Sequence, residues 1–254
     1  MIFKDQINNI IELKSVPKRI ISLVPSQSEL LWDLGLRDEL VGITKFCIHP
    51  DEMFKSVERI GGTKTLNLQK IRALNPDLII GNKEENDEKQ IIELQKEFPV
   101  WMSDIYNLQD ALFMINAIGE IVNRVEEAKV IRATIEISFL NLNKINQCVL
   151  YLIWNNPFMA AGKATFIGDM INKMGLKNVL IDSEGRYPQL TIEEIKQLNP
   201  ELLYLSSEPF PFGLMHIEEL KAILPESKIQ LVDGEMFSWY GSRLLKSVKY
   251  FNQL

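Results

Sequence analysis

The stretch LNLQKIRALNPDLII, residues 66–80, returns as LTIEEIKQLNPELLY at residues 190–204. In both copies, apolar residues at helical spacing precede an Asn-Pro pair, at 75–76 and 199–200. Proline disfavours helical geometry in the residue before it, so each helix should end there. A short apolar run follows, which is typical of a strand buried on both faces of a parallel sheet. The same helix–strand unit occurs twice, which predicts two αβ lobes with a ligand-binding cleft between them.

Composition indicates a globular protein with a large core. The chain has 254 residues, 46% hydrophobic and 24% charged, which suits one large or two small domains. Its net charge of −6 argues against nucleic-acid and anionic-membrane surfaces, because both favour basic patches. The longest apolar runs, such as 148–154, have the length of a strand. We therefore expect neither nucleic-acid binding nor membrane insertion.

The N-terminal residues and the cysteines bear on the cellular compartment. Residues 1–19 alternate polar and apolar side chains, without the apolar core or the small-residue cleavage site of a secretory signal. As written, the chain is therefore expected in the cytoplasm. Cys47 and Cys148 lie in different halves and are too few for a disulfide framework, so both are expected to be free thiols.

Boundary signals predict further elements on both sides of the repeats. A strand at 19–24 leads into Ser26, which forms a capping-box pattern with Glu29 before a helix that ends at Gly35. Further strands are predicted at 40–44, 100–102, 148–154, 178–181 and 228–232, and further helices at 84–96, 166–174 and 242–251.

The segment between the two halves is predicted to be helical. It has no proline between Pro99 and Pro157, and its apolar residues keep three-and-four spacing from Leu108 to Ile135. Roughly thirty helical residues would extend about 45 Å, with Asn123-Arg124 as the point where a break would fall. We assign residues 1–103 to an N-terminal αβ lobe, 104–146 to a helical linker and 147–254 to a C-terminal αβ lobe.

Six stretches carry a resemblance to a known family. They are SLVPSQSELLWDLGL (22–36), VGITKFCIHP (41–50), GGTKTLNLQKIRALNPDLII (61–80), AGKATFIGDMINKMGLKNV (161–179), YPQLTIEEIKQLNPELL (187–203) and DGEMFSWYGSRL (233–244). In these the chain resembles the cobalamin-binding and related metal-chelate-binding proteins of ABC importers, the helical-backbone metal receptors. The resemblance implies an α/β fold, with two Rossmann-like lobes joined by a long backbone helix and a flat metal complex held between them. It also implies a periplasmic or cell-surface location and an ABC permease as partner.

Aromatic residues at predicted strand ends indicate a large, flat ligand. Aromatic faces bury the rim of a macrocycle well, adding about 0.5–1.5 kcal/mol per well-placed pair beyond area burial. Core packing between a loop and a helix is the alternative for any one of them. The predicted ligand-binding residues are Ser26, Gln27, Phe46, Cys47 and Lys64 in the first lobe, and Trp154, Phe158, Tyr187, Trp239 and Tyr240 in the second.

Neither a bare-metal site nor a catalytic site is predicted. A metal site needs three or four clustered ligands, and the only histidines, His49 and His216, lie in opposite halves. His49 is either an ordinary loop residue or at most one axial ligand to a metal already held in a macrocycle. The string Gly162-Lys163-Ala164-Thr165 departs from a phosphate-binding loop, and no nucleophile or dinucleotide motif occurs. We therefore expect a non-enzymatic protein with no intrinsic cofactor.

Docking on a permease is implied by the resemblance alone. In the family, one surface glutamate on each lobe pairs with arginines of the permease. Glu88 holds the matching position in the first lobe, and either Glu208 or Glu218 would be its counterpart in the second. The alternative for each is a plain solvated carboxylate.

The predicted function is that of a monomeric substrate-binding protein for a metal tetrapyrrole or other chelate, a corrinoid such as cobalamin first, in ABC-type uptake. Haem and ferric siderophores are the alternative ligands. An anionic siderophore would use cations such as Lys64, Lys163, Arg186 or Arg243. A cytoplasmic tetrapyrrole enzyme or metal-cofactor chaperone on the same fold is the alternative from another class, and the missing export signal favours it.

Overall fold

A computed structural model describes residues 1–180 and 185–254. The chain divides into two compact units. Unit 1 comprises Met1–Ile105, Gln109–Glu136 and Trp239–Leu245, and unit 2 comprises Tyr106–Leu108, Ile137–Ser238 and Lys246–Leu254, of which 181–184 are not described. This division places residues 109–136 of the predicted linker in unit 1. It also places there Trp239–Leu245, predicted in the second lobe, where Arg243 forms a buried ion pair with Glu29.

Unit 1 is built on a parallel sheet. Its strands are β3 (Ile20–Ser22), β4 (Leu40–Ile43), β5 (Glu58–Arg59), β6 (Leu78–Asn82) and β7 (Val100–Ser103), after an antiparallel pair, β1 (Ile2–Lys4) and β2 (Ile10–Glu12). The parallel strands follow the order β5-β4-β3-β6-β7. Its helices include α1 (Pro25–Asp33), α2 (Asp51–Ser56), α3 (Leu68–Leu74) and α4 (Glu88–Gln95). The sequence analysis did not predict β1, β2, β5 or α2.

The connector is helical, as predicted, but it contains two helices. These are α5 (Leu108–Ile121) and α6 (Val125–Leu140). The interruption falls at the predicted point, because Asn123 adopts a left-handed conformation with φ 55°. The two helices approach closely at Gly119, where an added Cβ would lie 2.3 Å from the Cβ of Ala128.

Unit 2 repeats the parallel arrangement with an antiparallel addition. Its strands are β8 (Cys148–Trp154), β9 (Phe158–Ala160), β10 (Lys177–Asn178), β11 (Gln189–Leu190), β12 (Leu202–Ser206) and β13 (Lys228–Val232). Parallel pairing joins β10, β8, β12 and β13 in that order, which matches β4, β3, β6 and β7 of unit 1, while β9 runs antiparallel to β8 and β11. The helices are α7 (Phe166–Lys173), α8 (Ile192–Leu198), α9 (Leu214–Ile223), α10 (Gly234–Ser238) and α11 (Leu244–Phe251), whose first two residues belong to unit 1.

The sequence repeat forms the same structure in both units. Helices α3 and α8 end at Asn75 and Asn199, which take left-handed conformations with φ 44° and 40°. Each is followed by a completely buried strand, β6 or β12. The predicted unit of helix, break and buried strand is therefore confirmed in each half.

The predicted capping box at Ser26 and Glu29 is wrong. Helix α1 begins at Pro25, with Val24 as N-cap and no side-chain cap. Ser26 is buried in its first turn, and the Glu29 carboxylate binds Arg243 instead of capping the helix. The strand predicted at 178–181 is shorter and begins earlier, as β10, and residue 181 lies outside the described residues. No helix in the described part of the chain is long and apolar enough to cross a membrane.

Candidate ligand-binding site

In unit 1, the loop that follows β4 presents an exposed aromatic side chain. Phe46 is 49% exposed, and the Nζ atom of Lys45 lies 5.0 Å from its ring centroid. Loops at the carboxyl ends of parallel strands are where α/β sheets bind ligands. Among the residues predicted in unit 1, Phe46 therefore offers an apolar face on which a ligand can stack.

Two other predicted residues of unit 1 have no exposed surface. Gln27 donates from Nε2 to Ser103 Oγ at 2.6 Å and to the Gly81 carbonyl at 3.1 Å. The Cys47 Sγ lies 3.1 Å from both Ser28 Oγ and Thr44 Oγ1, and burial raises the pKa of the thiol. Each therefore has a structural partner, and its contact with a ligand stays a prediction.

Lys64 is exposed, but its ammonium group forms hydrogen bonds with the main chain. The Nζ atom donates to the main-chain carbonyls of Glu84 and Asn86, in the loop that follows β6. A ligand would have to compete with these hydrogen bonds.

The segment that contains Trp239 and Tyr240 is buried in unit 1. Trp239 is 6% exposed and contacts the ring of His49 and the guanidinium of Arg243. Tyr240 is 7% exposed, interacts with the side chains of Ser26 and Ser103, and has a pKa raised well above its ordinary value by burial. The sequence analysis assigned both residues to the second lobe, because they follow its last strand, whereas the structure packs them in unit 1.

In unit 2, an exposed aromatic residue again ends a parallel strand. Trp154, the last residue of β8, is 39% exposed and makes an edge contact with Phe210 at 5.7 Å between ring centroids. Phe210 in turn contacts Phe212 at 4.8 Å and His216 at 5.3 Å. Trp154 is thus held by an aromatic cluster while it keeps an exposed face.

Tyr187 belongs to a stack that the sequence analysis only partly anticipated. The Arg186 guanidinium carbon lies 5.8 Å from the Tyr187 ring centroid and 4.5 Å from that of Tyr106, which is 39% exposed. Arg186 Nε also donates to the Ala164 carbonyl at 3.0 Å. Tyr106 was missed because it precedes a helix and lies far from Arg186 in the sequence. The stack offers two aromatic rings and one cation.

Phe158 lies in β9 and lines a cavity of about 310 Å³ within unit 2. This volume is at the lower end of the range for small-molecule sites, roughly 300–1,000 Å³. The other lining residues are Asn155, Asn156, Ile192, His216, Glu219, Leu220 and Ile223. The cavity thus combines an apolar floor with amide, imidazole and carboxylate groups.

The predicted docking carboxylates differ in exposure. Glu88 is exposed at the start of α4, and Glu218 is exposed on α9. These two helices follow the equivalent strands β6 and β12. Glu208 is only partly exposed and accepts a hydrogen bond from Ser238 Oγ at 2.8 Å.

Metal-ligating side chains do not cluster. Among residues 1–180 and 185–254, no three or more His, Cys, Asp or Glu side chains form a group that could hold a metal ion. Cys47 and Cys148 are both free.

The sequence profile of the Periplasmic binding protein family matches residues 20–223. The chain belongs to this family. An uncharacterized ABC transporter substrate-binding lipoprotein of Bacillus subtilis (strain 168), YvrC, is 27% identical over an alignment of 261 positions, which covers 96% of this chain and 82% of that protein. A vitamin B12-binding protein of Vibrio cholerae (strain O395) is 26% identical over 204 residues, 78% of this chain and 74% of that protein.

Solved structures share the fold. The periplasmic vitamin B12-binding protein BtuF of Vibrio cholerae superposes with a TM-score of 0.77 at 22% identity, over 94% of this chain and 96% of that one. The periplasmic haem-binding protein BhuT, in complex with two haems, gives a TM-score of 0.81 at 18% identity, over 93% and 97% of the two chains. The predicted α/β fold of two lobes is confirmed.

Family membership also confirms the predicted type of function, a substrate-binding protein of ABC-type import. The family consists of solute-binding proteins rather than enzymes, and its members act with ABC permeases. It gives no support to the cytoplasmic location expected from the N-terminal residues.

Proposed function

We propose that this chain binds a corrinoid, through the exposed aromatic side chains that each unit carries at its strand ends. One observation carries the proposal: Phe46 in unit 1 and Trp154 in unit 2 follow or end parallel strands and are 49% and 39% exposed. An exposed aromatic face at a strand end gives a flat, apolar ligand a surface to stack on. The relative from Vibrio cholerae that is called a vitamin B12-binding protein supports this choice of ligand.

A corrin ring suits these side chains for chemical reasons. It is broad, largely apolar on its faces and bordered by neutral amides, so it needs aromatic faces and hydrogen-bond donors more than fixed charge. Phe46 and Trp154 would supply the aromatic faces. The Tyr106–Arg186–Tyr187 stack adds guanidinium N–H donors close to aromatic rings.

Haem is the second candidate, and Arg186 is the observation that favours it. Haem carries two carboxylates, which a guanidinium binds well. BhuT is called a haem-binding protein, and it shares this fold. A negatively charged ferric siderophore would also bind Arg186. Exposed Lys163 would supply a second cation nearby, because it precedes Ala164, whose carbonyl accepts a hydrogen bond from Arg186.

Alanine variants of the exposed aromatic residues test the proposal. Phe46→Ala, Trp154→Ala and Tyr187→Ala should each weaken corrinoid binding by about 1–3 kcal/mol, the usual cost of losing an interface anchor. Calorimetric titration with aquocobinamide measures the loss. The matched control is Phe113→Ala, because Phe113 is 56% exposed on α5 and ends no strand.

Two outcomes separate the candidates. If haemin binding falls in these variants while aquocobinamide never binds, the ligand is haem. If all the variants bind aquocobinamide as tightly as the Phe113 control, the exposed aromatic residues do not form the site. Trp239→Ala should also weaken binding, but because Trp239 is buried it should cost about 3–5 kcal/mol of folding stability as well.

We propose further that Glu88 and Glu218 dock the protein on its permease in the periplasm or at the cell surface. Both are exposed, whereas Glu208 is engaged by Ser238. Exposed carboxylates on both units would steer the protein towards a positively charged surface. Glu88→Lys combined with Glu218→Lys should abolish growth on limiting corrinoid and leave the affinity in solution unchanged. Exposed Glu120 on α5 provides the control, Glu120→Lys, and normal uptake by the double variant would refute this docking role.

A further inference from the structure

A buried ion pair joins two distant parts of the sequence inside unit 1. Arg243 Nε donates to Glu29 Oε2 at 2.8 Å, and the two side chains are 5% and 3% exposed. Burying two charges carries a desolvation penalty that their attraction often fails to exceed, so such a pair is weak evidence for stability. A role in fixing the orientation of neighbouring side chains is the alternative.

Arg243 also contacts an aromatic side chain. Its guanidinium carbon lies 4.6 Å from the ring centroid of Trp239, a cation–π geometry. The Trp239 ring meets the His49 ring edge-on, with centroids 5.8 Å apart and planes at 61°. Contacts therefore run from Glu29 through Arg243 and Trp239 to His49.

His49 lies on the loop that carries the exposed Phe46. This loop follows β4, and His49 itself is partly exposed. One contact of this loop is therefore made with a buried tryptophan, which itself contacts a charged side chain.

The main chain around Trp239 is fixed by close packing. A Cβ on Gly241 would lie 2.5 Å from the carbonyl oxygen of Ser26, in the first turn of α1. Only glycine permits this approach of the two backbones. Tyr240 is buried next to Ser26 as well, so the segment is held against α1 in a single register.

We propose that Glu29 and Arg243 are positioning residues, which hold Trp239 and, through it, the loop with Phe46 and His49 in the orientation that binds ligand. Glu29 fixes the direction of the guanidinium, and the guanidinium fixes the indole plane. The proposal rests on the proposed function, because it names the residues that shape one part of that site.

The test removes both charges together. In Glu29→Leu combined with Arg243→Met, no uncompensated charge stays buried, so the midpoint of unfolding should equal or exceed that of the unaltered protein. Hydrogen exchange of a peptide covering residues 44–50 should nevertheless become at least tenfold faster. Affinity for aquocobinamide should fall at least tenfold, and the near-ultraviolet dichroism of tryptophan should change.

The matched control is an exposed ion pair of the same unit. Arg72 and Glu97 are 37% and 39% exposed, so Arg72→Met with Glu97→Leu should change neither exchange at residues 44–50 nor affinity. Arg243→Lys is the second variant. Lysine keeps a positive charge next to Glu29 but replaces the planar guanidinium by a compact ammonium. Exchange at residues 44–50 should become roughly threefold faster, and affinity for aquocobinamide should fall roughly threefold.

Unchanged exchange at residues 44–50 in folded Glu29→Leu/Arg243→Met protein would overturn the positioning role, whether or not any ligand binds. Unchanged affinity despite faster exchange would overturn the link to binding. If the unaltered protein binds no chelate, the proposed function fails, and the exchange experiment still decides whether the pair positions the loop.

Discussion

The two copies of the repeat share a helix, a left-handed asparagine and a buried strand, but the loops at their carboxyl ends differ. In both, a short helix ends at a left-handed asparagine and a completely buried strand begins three residues later. After β6, amide side chains organise the loop: Asn82 Oδ1 accepts from the main-chain N–H groups of Glu84 and Glu85, and Asn86 Nδ2 donates to Leu23 and Thr63 carbonyls. After β12, the loop carries Phe210 and Phe212, which contact each other and His216, and Phe210 also contacts Trp154.

This difference separates the parts of the sequence that form the scaffold from the loops in which we place the proposed site. The repeat supplies a hydrophobic core and a strand end in each unit. The loops give each strand end its character. The loop after β6 is polar and hydrogen-bonded to the main chain, whereas the loop after β12 is aromatic and partly exposed. Substitutions in the repeat should therefore change stability, and substitutions of exposed side chains at the strand ends, such as Phe46 and Trp154, should change binding.

The largest expected effect comes from truncating the repeat's core residue. Ile71 and Ile195 occupy equivalent positions and are both fully buried. Ile71→Ala and Ile195→Ala should each lower the free energy of unfolding of their own unit by about 2–5 kcal/mol, through lost burial and a residual cavity. Urea denaturation followed by circular dichroism measures both.

Ile192→Ala serves as the control, because Ile192 is 38% exposed and should matter much less. A loss confined to one of the two core variants would show that the two copies are not energetically equivalent.

A smaller effect is expected at the asparagines that end the repeat helices. Asn75 and Asn199 hold positive φ values, which alanine adopts at a cost of about 1–2 kcal/mol, whereas glycine adopts them freely. Asn75→Ala and Asn199→Ala should therefore be less stable than the corresponding glycine variants by about that amount. Thermal melts of the four proteins would contradict this interpretation if the alanine and glycine variants coincided.

The two cysteines should differ in their rate of alkylation in the folded protein. Cys47 is buried in unit 1, where burial raises its pKa and disfavours the reactive thiolate, whereas Cys148 in unit 2 is partly exposed. Native protein at pH 8 should consume about one equivalent of iodoacetamide, and denatured protein about two. The variant Cys148→Ser should resist alkylation until it unfolds, and rapid labelling of Cys47 in this variant would contradict the buried environment.

Much of the scaffold could be predicted because its signals are local. Strands β8 and β13 match the predictions residue for residue, since each is a short apolar run with clear boundaries. The Asn-Pro pair also predicted the end of the helix at Asn75 correctly. The capping box predicted at Ser26 and Glu29 does not form, because the Glu29 carboxylate binds Arg243 instead. Arg243 lies near the other end of the chain, so the local sequence could not show this contact.

The site was less predictable because burial is a property of the folded chain. Of the aromatic residues chosen for their strand-end position, Phe46 and Trp154 are exposed, whereas Trp239 and Tyr240 are buried. The sequence pattern also could not show that Gln27 and Cys47 are covered, or that Tyr106 contacts Arg186. Local sequence gives the place of a side chain along an element, and only packing gives its partners.

The most direct measurement of the central claim is a titration of the purified, unaltered protein with aquocobinamide, haemin and a ferric siderophore, followed by visible absorption and calorimetry. We predict saturable binding of one corrinoid per chain with a dissociation constant in the micromolar range or below, and weaker binding of the other two. Absence of saturable binding to all three chelates would contradict the account, because the aromatic strand ends would then have no chelate to cover them.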